Sequence, residues 1–221
     1  MKTPSLGKKA VDEMKIKIPL RRELEKSLDK DKGKKIILLD LGCGNCKYVD
    51  NRSNHKVIGI DNRKDTEADI VCDINKCIPL KNNFVDKVVA MHTLEHVSDL
   101  VKVMEEIWRV CKHNAEVFIN VPYFTSSGAY DDPTHRRVFT YRTFDYFTPN
   151  FEYEHYTKSK FKIKSKRIMF FGENLPPKMK WLQPIEKIIN PIINKFPLYY
   201  QSYLAWILPS REIHYILEVI K

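Results

Sequence analysis

The chain has 221 residues, 43 % of them apolar and 11 % aromatic, so it is long enough for one large domain or two small ones and can bury a core. That content excludes disorder along the whole chain, and no run of about 18 or more uncharged apolar residues reads as a membrane span. Lys and Arg outnumber Asp and Glu by 38 to 28, and the net charge of +10 favours polyanionic neighbours, nucleic acid or an anionic membrane surface. Five cysteines, an odd number, stand behind an N-terminus with Lys2, Lys8 and Lys9 and no apolar stretch of signal length, which reads as a protein of the reducing cytoplasm.

Residues 11–30 read as a charged amphipathic helix, with Leu20, Leu24 and Leu28 four apart behind Pro19. Residues 1–33 are expected to form an N-terminal helical segment and 34–221 the main domain. From Lys34 the pattern turns to βα alternation: an apolar strand over 36–41, a glycine-containing loop, a strand over 57–60 ending at Asp61, a strand over 68–72 closed by Asp73, and a strand over 85–91. A helix over 97–111 carries the stripe Leu100, Val103, Met104, Ile107 and Val110, and a strand over 117–121 follows. Strands separated by helices, with near-continuous apolar runs, predict a mostly parallel sheet covered on both faces, an α/β doubly wound core.

After Pro122 the periodicity fades, and residues 123–156, rich in Tyr, Phe, Thr and Asp, read as a functional loop beyond a strand end. Residues 158–171 predict a strand with Lys158, Lys160, Lys162, Lys164 and Lys166 on one face, and residues 213–220 a last strand. Between these two lies an apolar helical insertion, 173–210.

The segment Asp40-Leu41-Gly42-Cys43-Gly44 ends the first strand, where open parallel sheets bind ligands. Glycines there let backbone approach a ligand, and an acid at the end of the second strand accepts hydrogen bonds from a ribose diol. A pyrophosphate cradle would need a third glycine, and position 47 is Lys, so the pattern points to a nucleoside without phosphates. Together these residues resemble class I S-adenosylmethionine-dependent methyltransferases. Leu39-Asp40-Leu41-Gly42-Cys43-Gly44 is similar to their first motif and Val57-Ile58-Gly59-Ile60-Asp61 to their second. Cys72-Asp73-Ile74 resembles the adenine-contacting segment, and His92-Thr93-Leu94-Glu95-His96 the segment after strand four in a branch with many small-molecule and glycan enzymes. The likeness runs over 34–122, with His113-Asn114-Ala115 where Pro-Gly-Gly is usual.

The resemblance implies a seven-stranded Rossmann-like methyltransferase fold. It implies S-adenosylmethionine as cofactor, leaving as S-adenosylhomocysteine, with Asp40, Gly42 and Gly44 on its methionine part. Asp61 would take the ribose hydroxyls and Asp73 the adenine amino group, His92 would line the pocket, and Cys43, Asn62 and Ile74 would stand beside them.

Cys43-x-x-Cys46, with Cys72 and Cys77, has poor spacing for zinc, and the His92-x-x-Glu95-His96 pattern of inverted zinc proteases has no clear third ligand nearby, so no metal is expected. The stretch Tyr130-Asp131-Asp132-Pro133-Thr134-His135-Arg136-Arg137 should overhang the methyl donor as the acceptor site, with Tyr130, Asp132 and Arg136 binding substrate. His135, and after it His96, is the candidate base for a hydroxyl acceptor. Within 181–208 most residues are apolar and only Glu186, Lys187 and Lys195 are charged, with prolines breaking the stretch into short pieces. Its tyrosines and tryptophans suit a headgroup region, so peripheral contact with an inner membrane face is expected, with a lid over the acceptor or a homodimer surface as the other readings. The sequence thus predicts O-methylation of a sugar or other polar, lipid-linked acceptor. An RNA or protein N-methyltransferase and a non-catalytic cofactor-binding module stand as alternatives, although no RNA-binding motif accompanies the charge.

Overall fold

The computed structural model describes residues 19–149, 151, 156–171 and 183–221. Seven strands form one sheet: β1 (Ile36–Leu41), β2 (His55–Asp61), β3 (Ile70–Val71), β4 (Val85–Met91), β5 (Cys111–Pro122), β6 (Lys160–Met169) and β7 (Glu212–Ile220), in the order β3-β2-β1-β4-β5-β7-β6. The first five strands run parallel, and β7 lies antiparallel to both β5 and β6. Three helices pack on this sheet or along its edge: α1 (Pro19–Lys30), α2 (Leu100–Val110) and α3 (Gln183–Lys195).

Side chains alternate between the two faces along each central strand, as the pleat requires. Leu39 and Leu41, Val88 and Ala90, and Val117, Ile119 and Val121 join the larger core with the α2 stripe. Ile36, Leu38, Val89 and Phe118 point the other way, onto Leu20, Leu24 and Leu28 of α1. The helix expected over 11–30 is present from Pro19, and residues 11–18 lie outside the described ones. Asp99 starts α2, its carboxylate accepting the Lys102 amide at 3.0 Å.

Two strands depart from expectation. The third shrinks to Ile70–Val71. The fifth begins earlier, at Cys111, because the His113-Asn114-Ala115 turn is absorbed as an irregularity between the Val85–Cys111 and Lys87–Glu116 pairs, with Asn114 at φ 62°. Asn tolerates that left-handed backbone better than most residues, and it replaces the glycine turn of the resembled family.

The lysine face of β6 is also corrected. A register shift between Ile163 and Ser165 turns the following residues over, so Lys166 shares a face with Phe161 and Ile168 rather than with Lys162. Its Nζ sits 2.7 Å from Asp145 and over the Tyr141 ring, and Lys164 pairs with Glu218 at 2.8 Å. Along the edge of β6, α3 supplies side chains in place of a further strand. Asn194 accepts from the Ile168 amide at 2.7 Å and donates to its carbonyl at 2.8 Å, and Asn190 accepts from Phe170 at 3.0 Å. This satisfies backbone groups that would otherwise invite another chain.

From residue 183 onward the insertion seats only a few of its apolar residues, chiefly Ile193, Tyr200 and Ala205. Tyr200 stacks with Tyr123 at 6.4 Å, Trp206 meets Phe124 edge-on at 5.2 Å, and Gln201 accepts the Tyr141 amide at 2.8 Å, which ties the insertion to the loop after β5. Ile188, Ile192, Phe196, Tyr203 and Ile207 remain exposed. Trp181 lies outside the described residues. Among the described residues no helix is long and apolar enough to cross a membrane.

Candidate active site

The strand order reverses between β1 and β4, whose following loops diverge and open a crevice at the carboxyl ends of the strands. A cleft of about 1310 Å³ occupies it. Pockets for a single small ligand run to roughly 300–1,000 Å³, so this one has room for two molecules side by side.

The floor is built on Gly42 and Gly44. Gly42 has φ +66°, and a side chain there would come within 2.3 Å of Thr93 Oγ1. That hydroxyl bridges the two loops by donating to the Leu41 carbonyl at 2.8 Å. Gly44, at φ +51°, has nothing within 4 Å of where a Cβ would stand, so a side chain would project into open space. Asp61, at the end of β2, holds this loop and the next together: one oxygen accepts from Gly44 and the other from Arg63, each at 2.9 Å. Each oxygen keeps a lone pair for a further donor.

Asp73 follows β3. Its Oδ1 accepts the side-chain and backbone N–H groups of Asn75 at 2.9 and 3.0 Å, which lowers its pKa, and Oδ2 has no hydrogen bond among the described residues. Asn75 in turn accepts from the amide and hydroxyl of Ser98, fastening this loop to the start of α2. His92 ends β4 at φ +50°, a strained backbone of the kind found at binding sites. Its ring lies between two buried acids, 3.3 Å from Glu95 and 3.7 Å from Glu212, with the Asn120 amide at 3.3 Å.

The loop after β5 forms the opposite wall. Arg136 donates its amide to the Glu95 carbonyl at 2.8 Å, and Arg137 reaches the carbonyls of Val97 and Ser98 at 2.6 and 2.9 Å. These bonds bring His135 against His96, with ring centroids 4.6 Å apart. The hydrogen bonds assign both tautomers. His135 Nδ1 lies 3.2 Å from the Ala129 carbonyl, which can only accept, so Nδ1 carries the proton. His96 Nδ1 lies 2.9 Å from Thr134 Oγ1, whose own proton goes to Asp132 at 2.6 Å, so this Nδ1 is protonated as well. In its neutral form each ring then carries its lone pair on Nε2.

Of the residues expected from sequence, the cleft wall brings together Gly42, Gly44, Asp61, Asn62, Asp73, Ile74, His92, His96, His135 and Arg136. Asp40 and Cys43, also expected there, do not line the cleft. The buried Asp40 carboxylate turns to the Tyr48 amide at 2.7 Å, closing the loop behind the glycines, and Cys43 is buried beneath it. Tyr130 and Asp132 likewise lie off the wall. Tyr130 donates its hydroxyl to the Phe124 carbonyl at 2.9 Å, and Asp132 works through Thr134. Sequence reasoning passed over Thr93, Asn75 and Ser98, because what they contribute is contact between loops that periodicity does not reveal.

Residues 39–119 match a family model described as a methyltransferase domain. Over that segment, 81 of the 221 residues, the chain is similar to a methyltransferase domain. A search over curated proteins finds no match. Among solved structures, the fold is similar to a SAM-dependent methyltransferase from Archaeoglobus fulgidus at 20 % identity, covering 90 % of this chain and 92 % of that one with a TM-score of 0.56. The YcgJ protein from Bacillus subtilis is 11 % identical over 91 % of this chain and 99 % of that one, with a TM-score of 0.53. Phosphoethanolamine N-methyltransferase 2 of Haemonchus contortus, in complex with S-adenosyl-L-methionine, is 16 % identical over 90 % of this chain and 52 % of that one, with a TM-score of 0.50.

The match to a methyltransferase domain makes S-adenosylmethionine the ligand to test against the cleft, and the residues present fit it. The open space beside Gly44 leaves room for an aliphatic chain against backbone, and the acids ending β2 and β3 keep acceptor capacity of the kind that ribose hydroxyls and an adenine amino group would use.

Proposed function

We propose that the enzyme methylates a hydroxyl of a sugar or other polar acceptor presented at a membrane surface. S-adenosylmethionine supplies an electrophilic methyl group on a sulfonium. The residues of the chain do the rest: Gly42, Gly44, Asp61 and Asp73 orient the cofactor, and the loop over 123–141 positions the acceptor in the remaining space, so that catalysis is chiefly proximity.

The observation that carries this reading is the His96–His135 pair, edge to face at 4.6 Å on the wall opposite the cofactor loops, with both Nδ1 protons already engaged. A neutral ring with its Nδ1 proton engaged offers Nε2 as a base, which a hydroxyl acceptor needs, since its proton must leave as the new carbon–oxygen bond forms. Arg136 adds a cation on the same wall, suited to an acidic or hydroxyl-rich acceptor. The lysines of β6 support a small acceptor over nucleic acid, because Lys164 and Lys166 are engaged with Glu218 and Asp145. The membrane part rests on Ile188, Ile192, Phe196, Tyr203 and Ile207, exposed on the segment that braces the acceptor loop, together with the +10 charge.

Turnover of S-adenosylmethionine in a lipid-linked glycan extract tests the reading. His135→Ala should lower turnover by about 10²-fold or more while S-adenosylhomocysteine affinity holds. Equal losses in both, or turnover on RNA alone, would contradict it.

A further inference from the structure

Directly beneath the acceptor wall lies a feature that a pair of bases does not require. Glu95, the first residue of the Glu95-His96 dipeptide, is only 1 % exposed, and among the described residues neither of its carboxylate oxygens accepts a hydrogen bond. His92 Nδ1 stands 3.3 Å from one of them without hydrogen-bond geometry. A buried carboxylate that accepts no hydrogen bond, with one imidazole beside it, is costly unless it is protonated, paired or ligating a cation. One ligand atom each from Glu95, His96 and His135 lies within 4.8 Å of the others.

We infer that Glu95, His96 and His135 hold a divalent first-row transition-metal ion in the acceptor half of the cleft. Two imidazoles and a carboxylate are a donor set that zinc, iron and related ions accept while keeping positions open for substrate. The groups that orient these ligands are already in place. Metal-binding imidazoles donate their other N–H to a carbonyl or a carboxylate, and here His135 donates to the Ala129 carbonyl and His96 to the Thr134–Asp132 relay. With Nδ1 engaged in this way, Nε2 is the ligating nitrogen of each ring. Ligand atoms around a tetrahedral ion stand roughly 3.4 Å apart, given bonds of about 2.0–2.1 Å, so the three groups need draw together by little more than an ångström. The sequence offered this third ligand no signal, because His135 is thirty-nine residues beyond His96 and only the fold joins them.

The inference rests on the acceptor site proposed above and replaces proton transfer to His135 with activation of the hydroxyl on the ion. A hydroxyl bound to the ion becomes more acidic and loses its proton to solvent. The oxygen's electron pair then forms the bond to the methyl carbon, while the pair of the breaking carbon–sulfur bond stays on sulfur and leaves a neutral thioether.

The test is titration of the metal-free full chain with Co²⁺, read by its visible absorption, beside S-adenosylhomocysteine calorimetry on each variant. One equivalent should bind, without the thiolate-to-cobalt band that the cysteines would give. Glu95→Gln, His96→Ala and His135→Ala should each weaken binding by about 10- to 100-fold with S-adenosylhomocysteine affinity retained, which shows that the variants are folded. Chelator should abolish turnover and Co²⁺ or Zn²⁺ restore it. Absence of Co²⁺ binding, binding unchanged in the three variants, or a thiolate band would overturn the metal site. If His135→Ala still abolished turnover that chelator leaves intact, the metal site would fall and the hydroxyl-acceptor reading would stand with His135 as a simple base.

Discussion

Cys43 sits between the two glycines of the β1 loop, with Gly59 beneath it; a side chain on Gly59 would come 2.9 Å from the Cys43 sulfur. Burial, followed by the carboxylates of Asp40 and Asp61, pushes its pKa up to about 11. A raised thiol pKa keeps the sulfur protonated and unreactive at neutral pH, despite its place in a cofactor loop. Alkylation by iodoacetamide at pH 8, followed by mass spectrometry, should therefore modify the exposed Cys46 and Cys77 first and Cys43 only after unfolding. Equal rates at Cys43 and Cys46 would refute the buried placement. At this scale the sequence was informative where one residue type has one use. The place of Gly42, Gly44, Asp61 and Asp73 on the cleft wall was legible because they stand at strand ends. Asp40 was not, since a carboxylate at the same strand end can face a ligand or turn inward onto the Tyr48 amide, and only the path of the following loop decides.

Among the elements, α1 is held to the sheet by charge as well as by its leucines. Lys87, inward-facing on β4, is 5 % exposed and meets Asp31 at 2.8 Å, Glu116 at 3.0 Å and Ser27 at 2.7 Å. Lys87→Met removes the Glu116 cation and one of the two cations on Asp31, which keeps Lys34 at 2.9 Å, and should cost about 1–3 kcal/mol in urea unfolding. Burial pushes Glu116 up, but hydrogen bonds from Ser27 and Lys87 outweigh it and hold the group below its ordinary 4.5. A depressed carboxylate stabilises the fold above the unfolded value and loses that contribution as pH falls through the folded one. The gap between wild type and variant should thus stay flat from pH 7 to about 5 and close below 4.5; a gap unchanged at pH 3 would contradict the network. Strand and helix positions were largely readable, because β1, β4 and α2 are continuous apolar runs or clean stripes. The bulge in β6 was not: a strict lysine alternation is locally indistinguishable from one interrupted by an extra residue, and the pairing of Lys166 with Asp145 makes the difference.

For the whole molecule, the sheet puts the cofactor loops at the strand ends, and the chain beyond β5 folds back to supply the acceptor wall and the exposed apolar segment braced on Phe124. If that segment meets lipid, binding to anionic vesicles should exceed binding to neutral ones and weaken with salt, each nearby lysine adding about 1 kcal/mol. Replacing Ile188 and Ile207, 66 % and 81 % exposed, with Ser should reduce it while cofactor affinity holds. A wild-type protein indifferent to both kinds of vesicle would assign the face to a lid or a second copy of the chain instead.

The central claim is that the cleft between the β1 and β4 loops holds S-adenosylmethionine with Asp61 as its ribose acceptor, and calorimetry with S-adenosylhomocysteine tests it most directly. Asp61 accepts from Gly44 and Arg63, so Asp61→Ala removes both the proposed ribose contact and a brace of the loop. Wild-type protein should bind one equivalent, and the variant should bind more weakly by about 1–3 kcal/mol through lost charged hydrogen bonds. Undiminished affinity in Asp61→Ala, or tight binding of NAD in place of S-adenosylhomocysteine, would contradict the account.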